Sequence, residues 1–424
     1  MDRQRRQRAK REIISLCHSG LDYITLFREA SVRLAAAVPF DRTCWHTLDP
    51  ATLLFTSAFA ENLPRGPSVT MQLASHEYEI NDVNKWAYLA GRDWPVGVLC
   101  HATHGCPELS PRFRELLRPQ GIIDELRASF VSGRTGWGAL GLYRDHGRPG
   151  FDEDEAALVA ELSGHLADGV RRALLFDSAA ASTEELGPGL IVLDRANEVE
   201  MMNSAVPALV ADIVEAGSMA QPGVLPTAVF AVAARARAAA SGEHAGPARC
   251  RTLTRSGRWL VLYGSVLGSG ERVAVIIEQA GPRELAAVIM SAYGLSARER
   301  EVTRLVLQGR STDQIAAVLR LSPYTVQDYL KSIFDKVGVR TRRQLAGVIF
   351  REHYQPRAFG TDRLRADGWF AGAAPQARSA DGPASATSLR ATRATRRGLA
   401  RVRGGNEGCR SLQACGVPEL MHII

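Results

Sequence analysis

Long apolar runs are missing from this chain. No stretch approaches the roughly eighteen residues that a bilayer-spanning helix needs, so neither a membrane span nor a membrane partner is expected. The basic run 1–11 is not followed by the apolar core of a secretory signal. It reads as a solvated, frayed tail, and a cytoplasmic location is expected. Cysteine is sparse: seven residues, scattered and odd in number, imply no disulfide framework and fit a reducing compartment. Lysine occurs only four times, and the arginine that replaces it reads as the codon usage of a GC-rich genome rather than as function. Catalytic signatures are missing too. There is no G-x-x-x-x-G-K-S/T phosphate loop, no G-x-S-x-G turn, no H-E-x-x-H zinc helix and no acidic receiver pattern. An enzyme or a phosphoacceptor input is therefore not expected and no cofactor is identified, although an unknown small-molecule ligand is compatible with the sequence.

What the chain does have is an uneven charge. Its 424 residues are enough for roughly two to four domains. Residues 295–354 hold 11 basic and 6 acidic side chains, 355–424 hold 11 and 5, and 1–11 hold 6 and 1; the formal total of +7 leaves about −9 on 12–294. An acidic body with basic ends is the pattern of a separate anion-binding module. Four regions follow. The first, 12–177, is α+β and closes in a helix with Asp152, Glu153, Asp154 and Glu155 in its first turn and Leu158, Leu162, Leu166, Val170 and Ala173 at helical spacing. Such a helix suits a dimer seam or a plain core. After a Ser/Ala-rich break at 178–182, region 184–280 is also α+β: strands at 190–193, 259–263 and 273–277, a Gly268-Ser269-Gly270 turn and an Ala-rich helix at 227–241. Residues 293–354 read as all-α, and 355–424, rich in Arg, Ala and Gly, as a disordered tail with too little apolar surface to offset its ordering entropy.

The helical region carries four start signals. Ser296 with Glu299, Ser311 with Gln314 and Thr341 with Gln344 have capping-box spacing, and Ser322 precedes Pro323. With Gly309 and Gly338 as stops, helices are predicted at 297–308, 312–319, 323–337 and 342–352. The turn between the second and third, centred on Arg320 and Leu321, is short enough for a helix-turn-helix. The third helix puts Val326, Leu330, Ile333, Phe334 and Val337 on one face and Tyr324, Gln327, Asp328, Lys331 and Asp335 on the other. Such a mixed polar face suits readout of base edges. Ser322 and Thr325, at the free amides of its first turn, suit a phosphate, and Lys331, Lys336, Arg340, Arg342 and Arg343 suit the nucleic-acid backbone. The alternative on these residues alone is a small helical bundle with a solvated face.

The segments LSARERE and GRSTDQIAAVLRLSPYTVQDYLKSIFDKVGVRTRRQL resemble the LuxR-type helix-turn-helix over about sixty residues. That resemblance implies sequence-specific binding of double-stranded DNA, transcription regulation and homodimers, with RNA polymerase as a candidate further contact. It implies that the third helix enters the major groove with Gln327, Asp328 and Lys331 at the DNA, and that the last helix pairs through Leu345, Val348 and Ile349. Two positions depart from the family pattern: Gln327 stands where lysine is usual and Tyr329 where histidine is usual. The missing cation and the acid at Asp328 keep open a partner that does not bind DNA and blocks another regulator by heterodimerisation.

Upstream, WGALGLYRDHGRPGFDEDEAALVAELSGHLADGVRRAL and VPFDRTCWHTLDPATLLFTSAFAE resemble a GAF-type sensor domain, and GLIVLDRANEVEMMNSAVPALV with the closing strand pair resembles a PAS-type fold. These resemblances imply pockets and frequent dimers but no particular ligand. Cys100, His101, His104 and Cys106 are candidate ligands of a metal or redox sensor, though their spacing matches no usual zinc unit and a loop of ordinary residues is the favoured alternative, so no metal is expected. Trp45, Trp86 and Trp94 are candidates for a pocket lining or for core. The tail 355–424 reads as added non-specific attraction to DNA or as an accidental extension of the reading frame.

Overall fold

The computed structural model describes residues 3–64, 66–133, 135–176, 187–221, 223–243, 246–268 and 271–353; the expected break at 178–182 and the expected tail lie outside them. The chain opens with α1 (Arg3–Leu16) and α2 (Tyr23–Ala35), then β1 (Arg42–Leu48), β2 (Phe55–Glu61), α3 (Pro67–Tyr78), α4 (Trp86–Ala90), β3 (Val96–Val98), α5 (Leu99–Ala102), β4 (Ile122–Ser132), β5 (Thr135–Asp145) and α6 (Glu153–Phe176). It continues with β6 (Gly189–Leu193), β7 (Val199–Met202), α7 (Val206–Asp212), β8 (Glu215–Gly217), α8 (Thr227–Ala240), β9 (Arg249–Leu253), β10 (Trp259–Leu267), β11 (Arg272–Gln279) and α9 (Pro282–Ala292). The last helices are α10 (Ala297–Leu307), α11 (Thr312–Leu319), α12 (Pro323–Val337) and α13 (Arg342–His353).

Two sheets result. The first has the order β3-β4-β5-β1-β2-β8 and the second β7-β6-β11-β10-β9. With β8 set aside, each region's five strands lie in the same order, second-first-fifth-fourth-third, so the chain builds one topology twice. β8 leaves its own region and pairs parallel to β2 at the edge of the first sheet. Arg251 closes the junction on Asp49 at 2.7 Å, and Thr252 Oγ1 donates to the Thr56 carbonyl. α8, Ala-rich as expected and buried along most of its length, packs between α3 and the second sheet. The two α+β regions thus share one apolar core.

The first sheet is covered on both faces. Leu126, Ala128, Phe130, Trp45, Leu140 and Leu142 belong to a buried cluster with residues of α2 and α6. The opposite face is charged yet buried. Arg112 binds Glu125 at 2.7 Å and Asp82 at 3.3 Å; Arg127 binds Glu77 at 2.8 Å and Glu125 at 3.0 Å, and stacks 3.8 Å over Trp86. These groups, with His46 stacked on Phe55, fill the space beneath α3 and α4. Burial, reinforced by Arg127, pushes the His46 pKa down to about 3, so its ring is neutral at physiological pH.

One expectation needs correction here, and one pair of alternatives is decided. The basic N-terminus is not a frayed tail: it is α1, with Ala9 and Ile13 buried and Arg6 and Lys10 paired at 2.7 Å with Asp154 and Glu161 of α6. Its polar sequence hid the helix because the partners that hold it lie far along the chain. The helix at α6 is a core helix: Leu158, Leu162, Leu166, Val170 and Ala173 are all buried within the protomer, and Asp152 and Glu155 cap its start reciprocally. Among the described residues no helix is long and apolar enough to cross a membrane.

Candidate nucleic-acid interface

Local capping chemistry builds the module. Ser296 with Glu299 and Ser311 with Gln314 form complete capping boxes. Ser322 caps α12, accepting from the Thr325 amide at 3.0 Å, with Pro323 in the first turn. The fourth start is built differently from a capping box. Thr341 Oγ1 accepts from the Gln344 amide, but Gln344 Oε1 accepts from the Arg340 amide, one residue further back. α11 ends on Arg320 in the left-handed conformation, φ 54° and ψ 48°, and α12 starts after Leu321 and Ser322. This sharp reversal sets α12 across α11, while Val302, Leu305, Ile315, Val326, Leu330 and Ile333 close the core between α10, α11 and α12.

With that stripe buried, the opposite face of α12 is left to solvent. Tyr324 is 81% exposed, and Gln327, Asp328, Lys331 and Asp335 are exposed beside it. Lys331 has no ion-pair partner among the described residues. Tyr329, the second departure from the family pattern, is half-buried against the core. Ser322 and Thr325 sit together at the start of α12, their hydroxyls 2.8 Å apart.

Two other expected contact residues are engaged within the module. Lys336 Nζ lies 2.7 and 2.8 Å from the Glu299 carboxylate, which also accepts from Ser332 at 2.6 Å. Burial alone would raise the Glu299 pKa, but bonds from Lys336, Ser332 and the Ser296 amide hold it at about 2. Arg342 donates to the Arg310 carbonyl and to Thr312 Oγ1, tying the start of α13 to that of α11. Both cations are fastened within the module, whereas Arg340 and Arg343 are exposed, as are Arg310 and Arg320, which the sequence reading did not single out for DNA. Arg320 combines that exposure with the left-handed turn between α11 and α12.

The expected dimer seam on α13 is corrected by burial. Leu345 and Ile349 are 0% and 1% exposed in the module's own core, and Val348 is half-buried against it. An apolar stripe at helical spacing looks the same in sequence whether it faces its own core or a second copy. The four candidate metal ligands are not gathered into one set. Cys100 and His101 lie on α5, His104 sits in a left-handed turn and Cys106 precedes a short 3₁₀ turn. Among the described residues no group of three or more His, Cys, Asp or Glu side chains could hold a metal ion. Trp45 and Trp86 are core, and Trp94 is half-exposed on a surface cleft with Val96, His101 and Asp154.

The module is not an isolated bead. α9 contributes Leu285, Val288, Ile289 and Ala292 to the upstream core and Met290 to the core of the module. Arg171 of α6 donates to the Ala292 carbonyl at 2.5 Å, placing a cation on the C-terminal end of α9.

Three short capped helices with an αL turn and one solvent-facing polar helix define a helix-turn-helix protein. Residues 294–349 match the family described as bacterial regulatory proteins, luxR family. The spore germination protein GerE of Bacillus subtilis (strain 168) is 37% identical over 57 residues, which are 13% of this chain and 77% of GerE. The chain belongs to the luxR family through this module. The probable HTH-type transcriptional regulator GfsR of Streptomyces halstedii is 44% identical over 50 residues; the match covers 12% of this chain and only 21% of GfsR. Among solved structures, SdiA of Escherichia coli is 13% identical, with 82% of this chain and 97% of that chain covered at a TM-score of 0.29. The matched family consists of regulatory proteins rather than enzymes.

Proposed function

We propose that the chain is a sequence-specific, double-stranded-DNA-binding transcription regulator whose reading element is α12. The observation that carries this is the division of α12 into an apolar stripe packed on the core and an exposed face of Tyr324, Gln327, Asp328 and Lys331, held by a family-matched scaffold. Gln327 and Asp328 address base edges. Lys331, Arg340 and Arg343 address phosphates, and the N-terminal turn at Ser322 and Thr325 takes one further phosphate. Lys336 and Arg342 act by keeping α12 and α13 in place. RNA polymerase is a candidate second partner.

The upstream regions act as GAF-like (12–177) and PAS-like (184–280) sensors for the module at 293–354. Their repeated strand order and their continuity with α9 favour that reading. A signal that shifts α6 or the second sheet moves α9, and α9 is already part of the module's core. The test is DNA binding by the full chain with two substitutions. Lys331→Ala should weaken binding to every sequence and lower the salt slope by about one. Gln327→Ala should relax preference at one base position, at a cost of roughly 1–3 kcal/mol. If both variants bind as the wild type does, α12 is not the reading element.

A further inference from the structure

A cleft of about 730 Å³ opens at the β3 edge of the first sheet, lined by residues of β3, α5 and the first turn of α6. That size suits a small molecule. Trp94 on its wall is 52% exposed. Among the described residues no other ring or cation covers the indole, and the nearby Arg92 is engaged over Tyr88, 5.5 Å from that centroid. Glu153 and Asp154 line the cleft and are exposed. Asp154 is shared with Arg6 of α1 at 2.7 Å, whereas Glu153 has no ion-pair partner among the described residues. No lysine or arginine is among the described lining residues. Asn84 supplies a further group. Its backbone is left-handed, φ 55°, and its carbonyl accepts from Arg127 Nη1 at 3.3 Å. Its side chain rests against Gly97 of β3, where a Cβ would lie 2.4 Å from the amide, so glycine is what leaves it room. Among the described residues that side-chain amide makes no hydrogen bond. An uncommon backbone conformation and a glycine thus hold an unpaired polar group in the cleft.

We infer that this cleft binds a small organic cation, an ammonium seated on the Trp94 ring with its charge toward Glu153 and a polar substituent on Asn84. Three features select that class. An open aromatic face attracts a cation through its quadrupole. An unpaired carboxylate with no lysine or arginine in the lining favours positive charge and opposes an anion. The Asn84 amide both donates and accepts, which suits a hydroxyl or carbonyl on the ligand. The cleft also has a route to the module. α6 runs from it to Arg171, whose guanidinium donates to the Ala292 carbonyl at the end of α9. Occupancy at the first turn of α6 therefore bears on the helix that enters the module's core. This last link rests on the sensor reading; binding in the cleft does not.

The experiment is calorimetric titration of the full chain with choline, with benzylamine and with the uncharged analogue of choline in which a tert-butyl group replaces the trimethylammonium. It is run on the wild type, Trp94→Ala and Glu153→Gln. Both side chains are exposed, so thermal unfolding of the variants should stay close to that of the wild type. The wild type should bind at least one of the two cations and not the uncharged analogue. Trp94→Ala should weaken that binding about tenfold, and Glu153→Gln severalfold. Binding of neither cation by the wild type at roughly 10 mM, equal binding of the uncharged analogue, or cation binding that survives both substitutions unchanged would overturn the inference. Cation binding that both substitutions weaken, with DNA affinity the same in its presence and absence, would leave the site standing and remove only its coupling to the module.

Discussion

Glu299 and Lys336 stand 37 positions apart, and their contact ties α12 to α10 beside the apolar core. A carboxylate held at about 2 is bound more tightly as the anion than it would be in the unfolded chain, where glutamate titrates near 4.3. Its stabilising contribution is therefore fully present above that unfolded value and is lost as pH falls from about 4 toward 2. The module should lose on the order of 2 kcal/mol over that window, and Glu299→Gln should flatten the dependence while lowering stability at pH 7. Chemical unfolding of the wild type and the variant at pH 7 and pH 3 checks this. An identical pH dependence in the two proteins would rule the pair out as its source. Sequence offered no sign of this contact. Glu299 was legible as a capping residue, because its partner Ser296 lies three positions away, and Lys336 as a surface cation. What joins them is tertiary packing, which local spacing does not encode.

Among the elements, the module was the most legible and the junction between the sheets the least. Caps, stops and apolar stripes fixed α10 to α13 to within a residue or two, because each signal acts inside one turn of chain. The same locality conceals α1, where six basic residues hide a helix paired to α6, while the seam that the family resemblance implies at Leu345, Val348 and Ile349 meets a stripe taken up by the module's own core. β8 gave no signal at all: three residues long, it exists because it completes the edge beside β2. Gly217 explains how it fits. With φ at +67°, its backbone passes so close to the Ala60 carbonyl that a Cβ would lie 1.9 Å from that oxygen. Gly217→Ala should cost at least about 1–2 kcal/mol from backbone conformation alone, before the clash is counted. Amide exchange should show the loss first at β8 and the neighbouring strand β2. Unchanged protection at 58–60 and 215–217 would mean that the junction adds nothing to stability.

For the molecule as a whole, two copies of one sheet topology share a core with each other, and α9 carries that core into the helix-turn-helix. The buried ion pairs of the first sheet bear on where a signal could enter. Arg112, Arg127, Glu77, Glu125 and Asp82 satisfy one another in the space beneath α3 and α4, and that arrangement favours fixed geometry at that face over an open chamber. The charge asymmetry first seen in sequence finds its counterpart in α12: exposed cations around one polar helix face, on a module attached to an acidic body. Whether that face reads DNA is the central claim. Its most direct test is selection by the full chain from a library of random-sequence duplexes at near-physiological salt. The account predicts enrichment of an inverted repeat, with Gln327→Ala changing the preferred base at one position in each half-site. Recovery of no enriched sequence from repeated rounds would contradict it.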